Sequence, residues 1–349
     1  MADLKALAAA LAGVPGLTGI GPPDLTPLAA RGIAHDHVRI GATGYLARVP
    51  RHGQFAPARA GAAPDAYIRY QAASFARAAP SGHVPRLVAA IAPSPGLPLG
   101  ALVIEEILGR LPDLPRDLPP IAECLARIHS LPVPPPPERP PLHDHADPAR
   151  GTLDVIEGNA RYLDRAGVAG EARAVIEEEL VWARGFAADA KGKDQPVTLV
   201  ASDTHPGNFL IDARNRAMLV DVEKMVYGSP AIDLAHATLI TSTVWDADCG
   251  KVLDRADVAA FYRAYHAAID PALARRLAPW LQPMRRLAWL RTATWVCRFK
   301  IEVLDKGLAG DAGGRHVRHA AKCAADFVGP AMIRAARREW IEGQSLSPS

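Results

Sequence analysis

The residues best placed to do chemistry lie between Asp203 and Glu223. Asp203-Thr204-His205-Pro206-Gly207-Asn208 runs into the apolar Phe209-Leu210-Ile211, and after a polar turn Met218-Leu219-Val220 leads to Asp221-Val222-Glu223. An Asp, an Asn five positions on, and a second Asp beyond a short hairpin is the spacing that kinase-type phosphoryl transfer requires. In that chemistry the first Asp takes or orients the proton of the acceptor hydroxyl, while the Asn and the second Asp hold the magnesium ions on the nucleotide phosphates. Mg²⁺ prefers hard oxygen donors and keeps several waters, so one or two protein oxygens suffice. Asp203 is therefore the candidate catalytic residue, and Asn208 and Asp221 are the candidate metal ligands. A plain hairpin with solvated polar ends explains each residue singly, but not the spacing of all three.

The elements that must position them follow from local pattern. Phe209–Ile211 and Met218–Val220 read as two short apolar strands joined by the turn residues 212–216. Further on, Gly228-Ser229-Pro230-Ala231-Ile232-Asp233-Leu234-Ala235 reads as a loop entering an apolar helix with a carboxylate near its start. On these three segments the chain resembles the aminoglycoside phosphotransferase and choline kinase superfamily, strongly over residues 196–240 and less elsewhere. The resemblance implies an α+β, protein-kinase-like fold of two lobes. We expect a small, mostly antiparallel-sheet N-lobe over 1–104 and a mainly helical C-lobe over 105–349, with the hinge near 103–109. It also implies ATP as donor, with GTP left open, Mg²⁺ as cofactor, and a hydroxyl of a small molecule as acceptor. Asp203 matches the family's catalytic Asp, Asn208 and Asp221 its metal ligands, and Asp233 a carboxylate that braces the catalytic loop. One departure is plain: where the family has His-Gly before the catalytic Asp, this chain has Ala201-Ser202. That change bears on loop rigidity more than on chemistry.

Towards the N-terminus, Ala101–Gly109 resembles the hinge strand, whose backbone at Glu105 and Ile107 would meet the base of the nucleotide. Residues 121–129 read as the helix that follows. Asp36–Ile40 and Tyr45–Val49 read as paired strands around the turn 41–44, with a helix over 67–78. Kinases grip the nucleotide phosphates with a strand Lys paired to a helix Glu. No Lys occurs between Lys5 and Lys191, so the basic group must be an Arg. Arg48 is the first choice and Arg51 the second. Gln71 stands where the Glu is expected, which reduces the usual ion pair to a hydrogen bond. The glycine-poor segment 29–35, centred on Gly32, is the candidate phosphate cover.

Composition excludes several other classes. A net charge of +3 from 40 basic and 37 acidic residues, without a basic run, argues against nucleic acid or an anionic membrane as partner. Cys124, Cys249, Cys297 and Cys323 are widely spaced, which argues against structural zinc and for reduced thiols in the cytoplasm. Leu4, Leu7 and Leu11 share one helical face, so the N-terminus reads as a packing helix rather than a signal peptide. Residues 131–141, rich in Pro, form a stiff extended connector. His143 and His145 lack the further spacing of a metal site, and His205 is not needed as a base beside Asp203.

Helices are expected over 258–266, 281–291 and 294–304, and the resemblance implies that they and the Asp233 helix wall the acceptor pocket. Trp245, Trp289, Trp295, Tyr262 and Tyr265 supply either core or an aromatic wall suited to a quaternary ammonium. Glu223, Asp246 and Asp248 would instead receive a cationic acceptor. Glu223 and Trp245 are the acceptor-site candidates, and amino sugar, amino alcohol and neutral hydroxyl compound all stay open. The competing reading is a nucleotide-binding pseudokinase, prompted by Ala201-Ser202, Gln71, the absent Lys and the sparse glycine loop. A hydrolase using the same metal carboxylates comes third.

Overall fold

The computed structural model describes residues 2–29, 32, 34–51, 63, 65–309 and 314–341. Strands β1 (Leu25–Pro27), β2 (His35–Ile40), β3 (Tyr45–Pro50), β4 (Leu87–Ile91) and β5 (Ala101–Glu105) form an antiparallel sheet in the order β1-β2-β3-β5-β4. The turn between β2 and β3 needs positive φ at both ends, and glycines occupy them: Gly41 at 49° and Gly44 at 74°.

Alternation along the strands sends side chains to two different cores. Ala47, Val49, Ala101 and Val103 meet Leu7 and Leu11 of helix α1 (Leu4–Leu11), capped by Asp3. Leu102 and Ile104 point the other way, onto Ile68, Tyr70 and Phe75 of α2 (Ala66–Ala78). Arg48, between Ala47 and Val49, is thereby turned to the α2 side. The expected N-terminal packing helix is α1.

The rest is mainly helical. It comprises α3 (Leu118–His129), α4 (Pro148–Ala160), α5 (Gly170–Ala190), α6 (Pro230–Thr238), the single turn α7 (Ile240–Thr243), α8 (Arg255–Ala268), α9 (Pro271–Leu277), α10 (Leu281–Phe299), α11 (Arg315–Phe327) and α12 (Pro330–Ile341). Two small sheets cross this part. In one, β9 (Phe209–Asp212) lies between β6 (Gly109–Arg110) and β10 (Ala217–Leu219); in the other, β11 (Val226–Gly228) lies between β7 (His143–Asp144) and β8 (Thr198–Val200). This is the expected α+β fold, with an antiparallel N-terminal sheet and a helical C-terminal part.

Three expectations are corrected. The helices read at 281–291 and 294–304 are one, α10, continued by a π-helical turn over Lys300–Leu304. Thr292 and Thr294 do not interrupt it, because their hydroxyls donate back to the Ala288 and Leu290 carbonyls. The proline connector makes one 3₁₀ turn at Pro136–Glu138 instead of staying extended. Gln71 does not pair with Arg48, as the site geometry below explains. Among the described residues, no helix is long and apolar enough to cross a membrane.

Candidate active site

The catalytic loop leaves β8 at Ala201 and is held almost entirely through its backbone. The Asp233 carboxylate, in the first turn of α6, accepts from Ala201 N–H at 2.7 Å and Ser202 N–H at 2.8 Å. Asp233 is fully buried, and His129 Nε2 at the end of α3 lies 3.1 Å from Oδ2, the oxygen that also accepts from Ala201. Arg291 of α10 donates to the Ser202 carbonyl at 2.6 Å, and Thr204 N–H donates to His236 Nδ1 at 3.1 Å. Ser202 adopts φ 66°, a left-handed conformation that fits glycine best. The structural role expected of Asp233 is thus visible in its bonds, and Arg291 and His236 add clamps that the sequence did not announce.

Asp203 and the metal candidates converge through the β9–β10 hairpin. Its register pairs Phe209 with Leu219, and Val220 N–H donates to the Asn208 carbonyl at 2.9 Å, which sets Asn208 beside Asp221. Asn208 donates its amide N–H to the Asp203 carbonyl at 2.8 Å, leaving Oδ1 as the oxygen for a hard cation. Among the described residues no cluster of three or more His, Cys, Asp or Glu could hold a metal.

Asp203 is engaged by Lys224, whose Nζ lies 2.6 Å from Oδ2. Burial works to raise the Asp203 carboxyl, but the Lys224 ammonium outweighs it and holds the group far below the usual carboxylate range. Burial likewise opposes the charge of Asp221, and Arg48 and Lys224 overcome that. Glu223 is pushed up, by desolvation first and by Asp221 second. Burial lowers His205 from its ordinary value.

Arg48 is 2% exposed and reaches across from β3 to the metal segment. Its Nη2 donates to Asp221 Oδ1 at 2.7 Å and Glu223 Oε2 at 2.9 Å. Nη2 also lies 3.3 Å from His35 Nδ1, while His35 Nε2 lies 3.1 Å from Glu223. Gln71, fully buried on α2, is 3.3 Å from His35 Nε2 instead of touching Arg48. A buried guanidinium needs carboxylates, and a neutral amide cannot supply one. Arg48 Nε is buried without a protein partner. Arg51, the second choice, is paired with Asp36 at 2.6 Å.

Of the remaining candidates, Gly32 is exposed, while Ala30, Arg31 and Ile33 of the expected phosphate cover lie outside the described residues. In the hinge, Glu105 N–H donates to Arg86 and Glu106 N–H to Gly44, whereas no backbone carbonyl among the described residues accepts from Ile107 N–H. Glu223 is turned onto Arg48 and His35 and is 3% exposed, so it does not face an acceptor. Trp245 packs edge-on to Trp295 and Phe299, with ring centroids 5.4 and 5.8 Å away. Trp289, Tyr262 and Tyr265 are core. Asp248 pairs with Arg315 and His316, and Asp246 caps a turn by accepting from Asp248 N–H while standing against Gly207 of the catalytic loop.

Residues 25–280 match the sequence model of APH, the phosphotransferase enzyme family. The chain belongs to that family. None of the curated proteins searched by sequence matches it. Among solved structures, a choline/ethanolamine kinase family protein from Mesorhizobium loti is 19% identical, with a TM-score of 0.56 and coverage of 95% of this chain and 98% of that one. Choline kinase from Cryptosporidium parvum is 12% identical, with a TM-score of 0.61 and 97% coverage of each chain. An aminoglycoside phosphotransferase from Streptomyces rimosus, in complex with ADP and streptomycin, is 17% identical, with a TM-score of 0.51 and coverage of 84% and 99%. At these identities the similarity is one of fold, and the family membership makes the chain a member of a phosphotransferase enzyme family.

Proposed function

We propose that this phosphotransferase moves the γ-phosphoryl group of ATP, with GTP as the alternative donor, to a hydroxyl of a small molecule. The observation that carries the reading is the contact of Arg48 on β3 with Asp221 after β10, and of Asn208 with Asp203, which gathers the four residues from elements distant in sequence. Residues 1–104 serve as the nucleotide lobe and 105–349 as the catalytic and acceptor lobe. Free cysteines, of which Cys124, Cys297 and Cys323 are buried, support a cytoplasmic setting.

The acceptor hydroxyl donates to the Asp203 carboxylate, which takes its proton as the new oxygen–phosphorus bond forms and the bond from Pγ to the nucleoside diphosphate breaks. Bound Mg²⁺ neutralises phosphate charge, and Asn208 Oδ1 and Asp221 are the protein oxygens that would hold it. Arg48 keeps its unpartnered Nε for the phosphates. The orphan is the mark of fit here, since a buried N–H without an acceptor is costly. Ile107 N–H offers the base a backbone donor.

A thermal-shift series with ATP, GTP and ADP, each with and without Mg²⁺, tests the donor. A panel of amino sugars, amino alcohols and neutral polyols, followed by nucleoside diphosphate release, tests the acceptor. Mg²⁺-dependent stabilisation by a triphosphate together with diphosphate release on one acceptor class supports the reading. Binding without turnover across the panel favours the pseudokinase alternative, which the engagement of Arg48 by two carboxylates keeps in view.

A further inference from the structure

The catalytic segment 203–208 contains no Lys or Arg, yet the transferring phosphoryl group gathers charge within reach of it. Lys224, three residues beyond Asp221, supplies an ammonium there. Its Nζ sits 2.6 Å from Asp203 Oδ2, and its side chain is 40% exposed. Resting on the phosphotransferase reading, we infer that Lys224 is a catalytic residue that holds the γ-phosphoryl oxygens while its contact with Asp203 Oδ2 leaves Oδ1 for the acceptor hydroxyl.

Distance supports this. A hydroxyl on Asp203 lies about 2.6–3.2 Å from the carboxylate, and the phosphorus it attacks lies roughly 3–3.5 Å beyond. An ammonium already touching the same carboxylate reaches those oxygens by rotating a flexible four-carbon stem, and its three donors serve carboxylate and phosphate together. Desolvation opposes its charge, and Asp203, Glu223 and Asp221 outweigh that, so it stays protonated. Among the described residues, Nζ has no other hydrogen-bond or ion-pair partner.

The test compares ADP·Mg with the β,γ-imido analogue of ATP·Mg by titration calorimetry, because only the latter carries the phosphoryl group in question. Lys224→Met should weaken the triphosphate analogue about tenfold and leave ADP unchanged, and Lys224→Arg should retain most of the affinity. The same loss should persist in an Asp203→Asn background, where the charge that Lys224 touches directly is gone. Equal losses for both nucleotides, no loss for either, or a loss that vanishes with Asp203→Asn would each overturn the assignment. Lys224→Gln replaces the Met variant should that one fail to fold. A wild type that binds neither nucleotide overturns the phosphotransferase reading itself, a result distinct from all of these.

Discussion

Two stretches of chain meet at the site and are held by opposite means. Residues 201–208 are fixed through backbone groups, clamped by Asp233, Arg291 and His236 from α6 and α10. Residues 220–225 are fixed through side chains, with Asp221 and Glu223 on Arg48 and Lys224 on Asp203. The first arrangement holds positions 201 and 202 without using their side chains, which accounts for a chain that tolerates Ala201-Ser202. The second is a charge balance of three carboxylates, Asp203, Asp221 and Glu223, against two cations, Arg48 and Lys224. The Asp221 carboxylate and the Asn208 amide oxygen are the hard donors there that a divalent cation would take.

The comparison is broken most sharply at the point where both stretches serve chemistry. Asp203→Asn should lower turnover on the order of 10²–10⁴ while nucleotide affinity is retained, as read from steady-state rates and calorimetry. Asp221→Ala should abolish the Mg²⁺ dependence of nucleotide binding, and affinity indifferent to Mg²⁺ in the wild type would sink the metal assignment.

Arg48 tests the charge-held side. Arg48→Met leaves two carboxylates facing each other in a buried site and should cost about 3–5 kcal/mol in urea denaturation. Adding Glu223→Gln should recover part of that loss, because it removes one of the unpaired charges. A double variant no better than the single would mean that the balance of charge is not what holds residues 220–225.

How much of this was legible in the sequence divides along the same line. The catalytic side was readable because its chemistry lies in consecutive residues, punctuated by a hairpin and by the Ser229-Pro230 start of α6. Asp233 could be placed from its position in that helix. Arg48 was chosen by elimination, but its partners lie 173 and 175 residues away, and no local pattern encodes such a pairing. Gln71 was assigned to Arg48 by analogy, whereas His35, one strand over, intervenes. Lys224 left a signal that went unread, a lone Lys in the same short segment as the metal carboxylate. Arg291 sits on a helix whose pattern reads as packing, and nothing in it announces a contact with the loop.

On the backbone-held side, His236 gives a pH signature. Its Nδ1 accepts from Thr204 N–H, and burial, against the pull of Asp203 and with the help of Arg291, lowers it to about 3. The folded protein therefore keeps this ring neutral while the unfolded chain protonates near its ordinary value of 6.5. Stability from this group is present above about 6.5 and is lost as pH falls towards 3, with a limiting slope of about 1.4 kcal/mol per pH unit. His236→Asn, which keeps an acceptor near the Nδ1 position without titrating, should flatten that part of the profile. An unchanged acid slope would show that His236 is not the group responsible.

The smallest effect isolates the loop's independence most cleanly. Ser202 holds φ 66° while its N–H is bonded to Asp233 and its carbonyl to Arg291, so both external clamps act on backbone atoms that any residue retains. A non-glycine residue in the left-handed region costs about 1–2 kcal/mol. Glycine removes that strain but loses roughly 0.5–1 kcal/mol of backbone entropy on folding. Ser202→Gly should therefore stabilise the protein by about 0.5–1 kcal/mol in urea denaturation and leave turnover unchanged, since Asp233 and Arg291 still set the direction of Asp203. Ser202→Ala keeps the strain and removes only the hydroxyl, so it should sit close to the wild type. A Ser202→Gly protein that is more stable but much slower would show that the clamps alone do not aim Asp203 and that the side chain at position 202 stiffens the loop.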